Sequence, residues 1–189
     1  MKICPSYSLV FLFFFNSCGQ KFYAKKDFTF FDKNFILDSS SSLRTDGVYV
    51  LENIWTSRNG DTTETPKNSK FYIFYKKGQS NLILLDTPFS EDNLASKIND
   101  TVTTLKKTST LFQGYYKIKD GKIIIQNVNT SLRQFNYSYG FIENNKLIIV
   151  KKTIEGNGKF EDKYFTDYYK ETYVFKKIDT VNPDIEPNW

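Results

Sequence analysis

The chain has 189 residues, no histidine, two cysteines and a formal net charge of +5, and 17% of it is aromatic, with 18 Phe and 13 Tyr. Without an imidazole, Ser-His-Asp and Cys-His catalysis are excluded, and zinc loses the ligands it draws on most. So small a positive charge argues for no nucleic-acid partner, and the length suits one domain with a real core better than two.

The first element in chain order is an export signal. Lys2 supplies a positive end, residues 9–15 are wholly apolar, and Asn16, Ser17, Cys18 and Gly19 are small or polar. A spanning helix needs about 18 or more apolar residues, so this run does not make a permanent span. The residues FFFNSCGQ resemble the lipobox of bacterial lipoproteins, in which a small residue precedes the cysteine that receives diacylglycerol and becomes the new N-terminus. The composition, rich in Lys, Asn, Ile, Phe and Tyr, directs the resemblance to Bacteroidota. It implies residues 1–17 as signal peptide, Cys18 as the site of lipid attachment, and a place in the cell envelope. No Asp follows the cysteine, which favours the outer membrane. Each buried CH₂ contributes about 0.8 kcal/mol, so several acyl chains on one cysteine hold a domain at a membrane surface. Cys4 leaves with the signal, and the mature domain then has no disulfide to make.

Residues 18–42 read as the lipidated N-terminus and a flexible tether that ends in the serine run 39–42, with Phe28, Phe30, Phe31, Phe35 and Ile36 as a docking patch. The domain proper covers 43–178. Alternation and turn signals predict eight strands, at 47–55, 70–77, 81–86, 113–119, 122–127, 134–143, 146–154 and 169–178. A polar loop with Asn59, Gly60 and Pro66 follows the first strand. Gly78 opens the turn after the second; Asp120-Gly121 and Asn144-Asn145 are hairpin turns, because Gly and Asn accept a positive φ. Between the third and fourth strands, residues 90–107 carry Leu94, Ile98, Val102 and Leu105 at helical spacing, behind Ser90 as N-cap and ahead of Lys106 and Lys107. The tail 179–189, with Pro183 and Pro187, cannot continue a strand and is expected to trail over the surface.

The fold expected is all-β, an eight-stranded antiparallel meander curling into a small barrel or a half-open one, with one helix inserted between the third and fourth strands. Gly47-Val48-Tyr49, the hairpin GYYKIKDGKIII and the aromatic sixth strand resemble the lipocalin-like, or calycin-like, lipoproteins of Bacteroidota. Tyr49 stands where lipocalins carry the Trp of Gly-x-Trp. Eight strands enclose room for side chains or one small ligand.

Three functions follow as expectations. In the first, Phe71, Ile73, Tyr75, Phe135, Tyr137, Tyr139 and Phe141 face inward and line a pocket for a small apolar or amphipathic molecule, although packed core is the simpler reading of the same residues, since large side chains fill barrels of this size. In the second, an interaction lipoprotein docks on an envelope protein, or on anionic headgroups, through a basic rim of Lys76, Lys77, Lys176 and Lys177. In the third, two of the carboxylates Glu52, Asp86, Glu143 and Glu171 act as a hydrolytic pair, although no spacing sets two across a cleft. A non-enzymatic protein is favoured, without cofactor or metal, since no calcium-loop spacing occurs. It is expected to be a monomer with no nucleic-acid partner.

Overall fold

A computed structural model describes residues 23–57, 61–86, 90, 113–129, 132, 134–166, 168–178 and 187. Nine strands run in chain order: β1 (Gly47–Thr56), β2 (Thr62–Glu64), β3 (Ser69–Phe74), β4 (Gln79–Leu85), β5 (Gln113–Lys119), β6 (Lys122–Asn129), β7 (Gln134–Glu143), β8 (Lys146–Thr153) and β9 (Tyr169–Lys177). They form one antiparallel sheet in the order β2-β1-β3-β4-β5-β6-β7-β8-β9, and β9 returns to β1 over a register from Gly47↔Lys177 to Thr56↔Tyr169. That long pairing closes an eight-stranded barrel, with β2 as one extra strand.

The eight predicted strands are those of the barrel, within a few residues at their ends. β2 lies in the stretch read as a polar loop. It pairs with the last three residues of β1 (Ile54↔Glu64 to Thr56↔Thr62), while β3 takes up the same edge of β1 only at Val50↔Phe71 and Tyr49↔Tyr72. The returning chain breaks around Pro66, which has no N–H to give to a ladder. The sequence Thr62-Thr63-Glu64 is exposed throughout, so no apolar alternation betrays the strand.

The hairpin turns form as their residues require. Asp120 and Gly121 have φ of 52° and 74°, and Asn144 and Asn145 have 50° and 60°, the doubly positive geometry of type I′ turns. These turns, the β3–β4 turn, the start of β1 and the end of β9 gather at one end of the barrel, its base. The end of β1, β2, the start of β3 and the ends of β4, β6 and β8 form the other, the mouth.

Two apolar clusters lie on the two faces of the sheet. One runs from Tyr49 on β1 through Tyr72, Tyr116, Ile125 and Leu147 to Tyr173 on β9. This is the interior: the hydroxyl of Tyr72 on β3 bonds Ser138 on β7, half the circumference away, which only an inward side chain can do. Its rings meet edge to face, Phe74 on Tyr116 at 5.2 Å and Tyr72 on Tyr173 at 5.1 Å, and fill the lower interior.

The second cluster is on the outer wall, and the chain itself covers it. Residues 23–31 form a strap over β5 to β7, where Phe28 packs on Tyr115 and Phe135 and Phe30 packs on Tyr137. Gln126 pins the strap, its Oε1 accepting from Phe30 N–H at 3.0 Å and its Nε2 donating to Thr29 at 2.8 Å. A flap, residues 155–166, lays Tyr164 on Tyr139 and Phe165 on Phe141. Residues 35–44 then cross the base. Leu37 N–H donates to the Lys76 carbonyl, Arg44 N–H donates to the Tyr49 hydroxyl, and the Arg44 guanidinium lies 4.1 Å over Phe175.

The stretch expected as a flexible tether is therefore docked on the barrel at 23–30, with Tyr23, Phe28 and Phe30 buried, while 31–34 and 38–40 are exposed. Serine content at 39–42 says nothing of the aromatic residues upstream, whose burial outweighs the entropy of ordering the segment. The inserted helix is not supported: all but Ser90 of 90–107 lies outside the described residues, among which no helix reaches seven residues. Residues 1–17 and Cys18 also lie outside them, as does the tail apart from Pro187. Among the described residues no helix is long and apolar enough to cross a membrane.

Candidate ligand site at the barrel mouth

The seven residues expected to line a pocket do not face the interior. Phe71, Ile73, Tyr75, Phe135, Tyr137 and Tyr139 belong to the outer cluster, and Phe141 packs on Phe165 of the flap. On β7 the aromatic face was the natural choice for the inside, yet the inward residues are Ser138, Gly140 and Ile142. Small residues there leave room for Tyr72 coming across from β3. The aromatic face points out because the strap and flap supply its cover, which alternation along β7 alone cannot reveal.

What does face inward near the mouth is charged. The period of two along β9 brings Glu171 inside with Tyr169 and Tyr173, and on β3 it brings Lys70 inside above Tyr72. Lys152 arrives by a different route. The β7–β8 register shifts between Tyr139↔Lys151 and Gly140↔Ile149, leaving Val150 as an extra residue. This bulge reverses the parity of β8, so Lys152 turns inward while Lys151 lies outside over the Tyr164 ring. Gly140 lets the strands close here, since a Cβ at that position would sit 2.2 Å from the Ile148 carbonyl oxygen.

Glu171 is the hub. Lys70 Nζ lies 3.0 Å from each of its oxygens, Lys152 Nζ and the Tyr169 hydroxyl donate to Oε1, and the Tyr173 hydroxyl donates to Oε2. Burial alone would raise the pKa of this carboxyl. The charges of Lys152 and Lys70 and the donated hydrogen bonds outweigh it and bring the pKa down to about 2. Burial takes Lys152 the other way, down to about 8, with the Glu171 charge opposing and Lys70 reinforcing the fall. The hydroxyls of Tyr72, Tyr169 and Tyr173 are pushed well up, chiefly by burial, and stay protonated donors.

Two ammonium groups share one carboxylate, so the cluster carries an excess positive charge. The side chains of Lys70 and Lys152 retain 17% and 30% exposure against 4% for Glu171, so solvent meets the cations first. Leu84 pairs with Lys70 across the β3–β4 ladder and stands half exposed beside it. On the far wall, Ser80 Oγ and Asn127 Oδ1 are buried and have no hydrogen-bond partner among the described residues. They flank Gly114, where a Cβ would approach them to 3.0 and 2.5 Å. Buried polar atoms are seldom left unpaired, and each such atom asks for an explanation.

The remaining sequence candidates lie elsewhere. Glu52, Asp86 and Glu143 are exposed, and no second carboxylate accompanies Glu171 among the described residues. Lys76, Lys77, Lys176 and Lys177 do share one end, the base, where residues 35–44 cross. Glu171 was readable only as a strand carboxylate. Its two lysine partners come 101 and 19 residues before it in sequence, which leaves no local signal. No family model, no curated protein and no solved structure matches the chain.

Proposed function

We propose that the protein is a non-enzymatic lipoprotein of the bacterial cell envelope, anchored by acyl chains on Cys18, whose lipocalin-like barrel binds a small amphipathic ligand with an anionic head. The observation that carries this reading is the lysine pair at the mouth. Lys70 and Lys152 offer more positive charge than Glu171 neutralises, next to the exposed apolar surface of Leu84 and across from two unpartnered polar atoms. Ammonium groups in a half-buried setting bind carboxylate or phosphate more strongly than in water. Rings fill the lower interior, so the ligand sits at the mouth and not deep in the barrel. An acid–base role for Glu171 finds no support: a carboxyl with a pKa near 2 does not hold a proton at neutral pH, and a glycosidase needs a second carboxyl about 5 to 9 Å away.

Native mass spectrometry of the mature, unlipidated chain after exposure to envelope extract tests the ligand. A small acidic molecule retained by the wild type and at least about tenfold less by folded Lys152→Gln supports it. Retention of nothing, or retention indifferent to Lys152, overturns it, and a retained protein instead supports docking. The anchor is read separately. Intact mass of the native protein is expected to show residues 1–17 removed and acyl chains added, and Cys18→Ser abolishes both.

A further inference from the structure

Six large apolar side chains stand exposed among the described residues, and four of them surround the mouth: Leu84 at 50%, Leu132 at 58%, Ile154 at 43% and Tyr168 at 76%. They come from four separate places in the chain: β4, the β6–β7 connection, the end of β8 and the approach to β9. Trp55, half-buried at the mouth end of β1, lies among them with Lys170 stacked 5.4 Å over its ring. Convergence of exposed apolar groups from distant segments on one end marks an interaction surface, since scattered ones need no explanation.

The chain path says what covers that surface. The strap starts at the same end: Tyr23 packs 5.3 Å from Phe135, the second residue of β7, and the chain then runs outside the barrel to cross the base at residues 35–44. Cys18 precedes Tyr23 by only five residues, which span at most roughly 18 Å when fully extended. An acylated Cys18 thus keeps the mouth close to the bilayer and the base away from it. Tyr and Trp with an apolar body and a polar edge, and Lys with a long stem and a charged tip, suit the headgroup boundary.

We propose that the mouth rim of the barrel, through Leu84, Leu132, Ile154, Tyr168 and Trp55, rests on the surface of the membrane that holds the lipid anchor. The Lys70–Lys152 site then opens toward the headgroups, and an amphipathic ligand enters from the bilayer and not from bulk solvent. The orientation rests on the lipoprotein reading for its tether; the rim itself does not.

The test uses the mature, unlipidated chain and vesicles of phosphatidylethanolamine and phosphatidylglycerol carrying brominated acyl chains. With Trp189→Phe, Trp55 is the single tryptophan, and its emission is expected to shift to the blue and be quenched by the vesicles. Ile154→Ser together with Tyr168→Ser weakens partitioning at least about tenfold, while Ile36→Ser, at a side chain as exposed as Tyr168 but beside the base, leaves it unchanged. A second reporter, Ile36→Trp with Trp55→Phe and Trp189→Phe, is expected to stay unquenched. Absence of Trp55 quenching, equal quenching at position 36, or equal sensitivity to Ile36→Ser overturns the proposal. Acylation of Cys18 is measured by mass and ligand retention without vesicles, so the orientation can fail while the anchor and the ligand site stand.

Discussion

Glu171 is where the chemistry of single residues weighs most. Its carboxylate is stabilised by two ammonium groups and two tyrosine hydroxyls, and removing it leaves Lys70 and Lys152 facing each other unneutralised. Breaking such a pair from one side costs about 3 to 5 kcal/mol when fully buried; with both lysines partly in solvent, Glu171→Gln is expected to cost about 2 kcal/mol in urea denaturation. The same residue sets an acid limb. Its pKa is about 2 folded against an ordinary 4.5, so the stability it contributes is complete above pH 4.5 and lost as pH falls from there through 2. The wild type should lose about as much stability over that window as Glu171→Gln costs at neutral pH, and Glu171→Gln should lack that part of the slope. Lys152, titrating near 8, has more neutral amine at pH 8 than a surface lysine. Acetic anhydride at that pH is expected to label Lys152 ahead of Lys119, as read by peptide mass mapping. Equal labelling of the two would refute the low pKa.

At the scale of elements, turns and bulges set which face a strand shows. Gly121 has a φ of 74° and nothing within 4 Å of where a Cβ would be, so Gly121→Ala meets only the left-handed backbone penalty, about 1 kcal/mol. Gly140 is the opposite case. A Cβ there strikes the Ile148 carbonyl, so Gly140→Ala must part β7 from β8 at the bulge and is expected to cost about 3 kcal/mol. Because that bulge also aims Lys152, Gly140→Ala should return the Lys152 labelling to that of a surface lysine, whereas Gly121→Ala should not. The strands themselves were legible because β5 to β8 alternate cleanly and end in Asp-Gly and Asn-Asn. β2 was not, because three polar residues on an exposed edge carry no period.

The whole molecule is a barrel that depends on chain outside it. Phe28 is buried between Tyr115 and Phe135, and Phe28→Ala is expected to destabilise by about 3 kcal/mol, while the exposed Ile36→Ala changes stability by less than about 0.5. A chain starting at Leu43 should bind a hydrophobic dye and melt well below one that keeps residues 23–42; unchanged melting would mean that the strap is only a tether.

Composition and local pattern determined by themselves what depends on neighbours in sequence: the loss of imidazole chemistry, the eight barrel strands, their order and their turns. The tertiary structure decided which face is inside, that the sheet closes, and that Lys70, Lys152 and Glu171 meet. Facing depends on what covers each side, here a strap and a flap from distant parts of the chain, and a single bulge reverses it. Closure and the charged cluster both require partners up to about a hundred residues apart, whose encounter is fixed by strand register around the barrel and leaves no mark on the residues next to them.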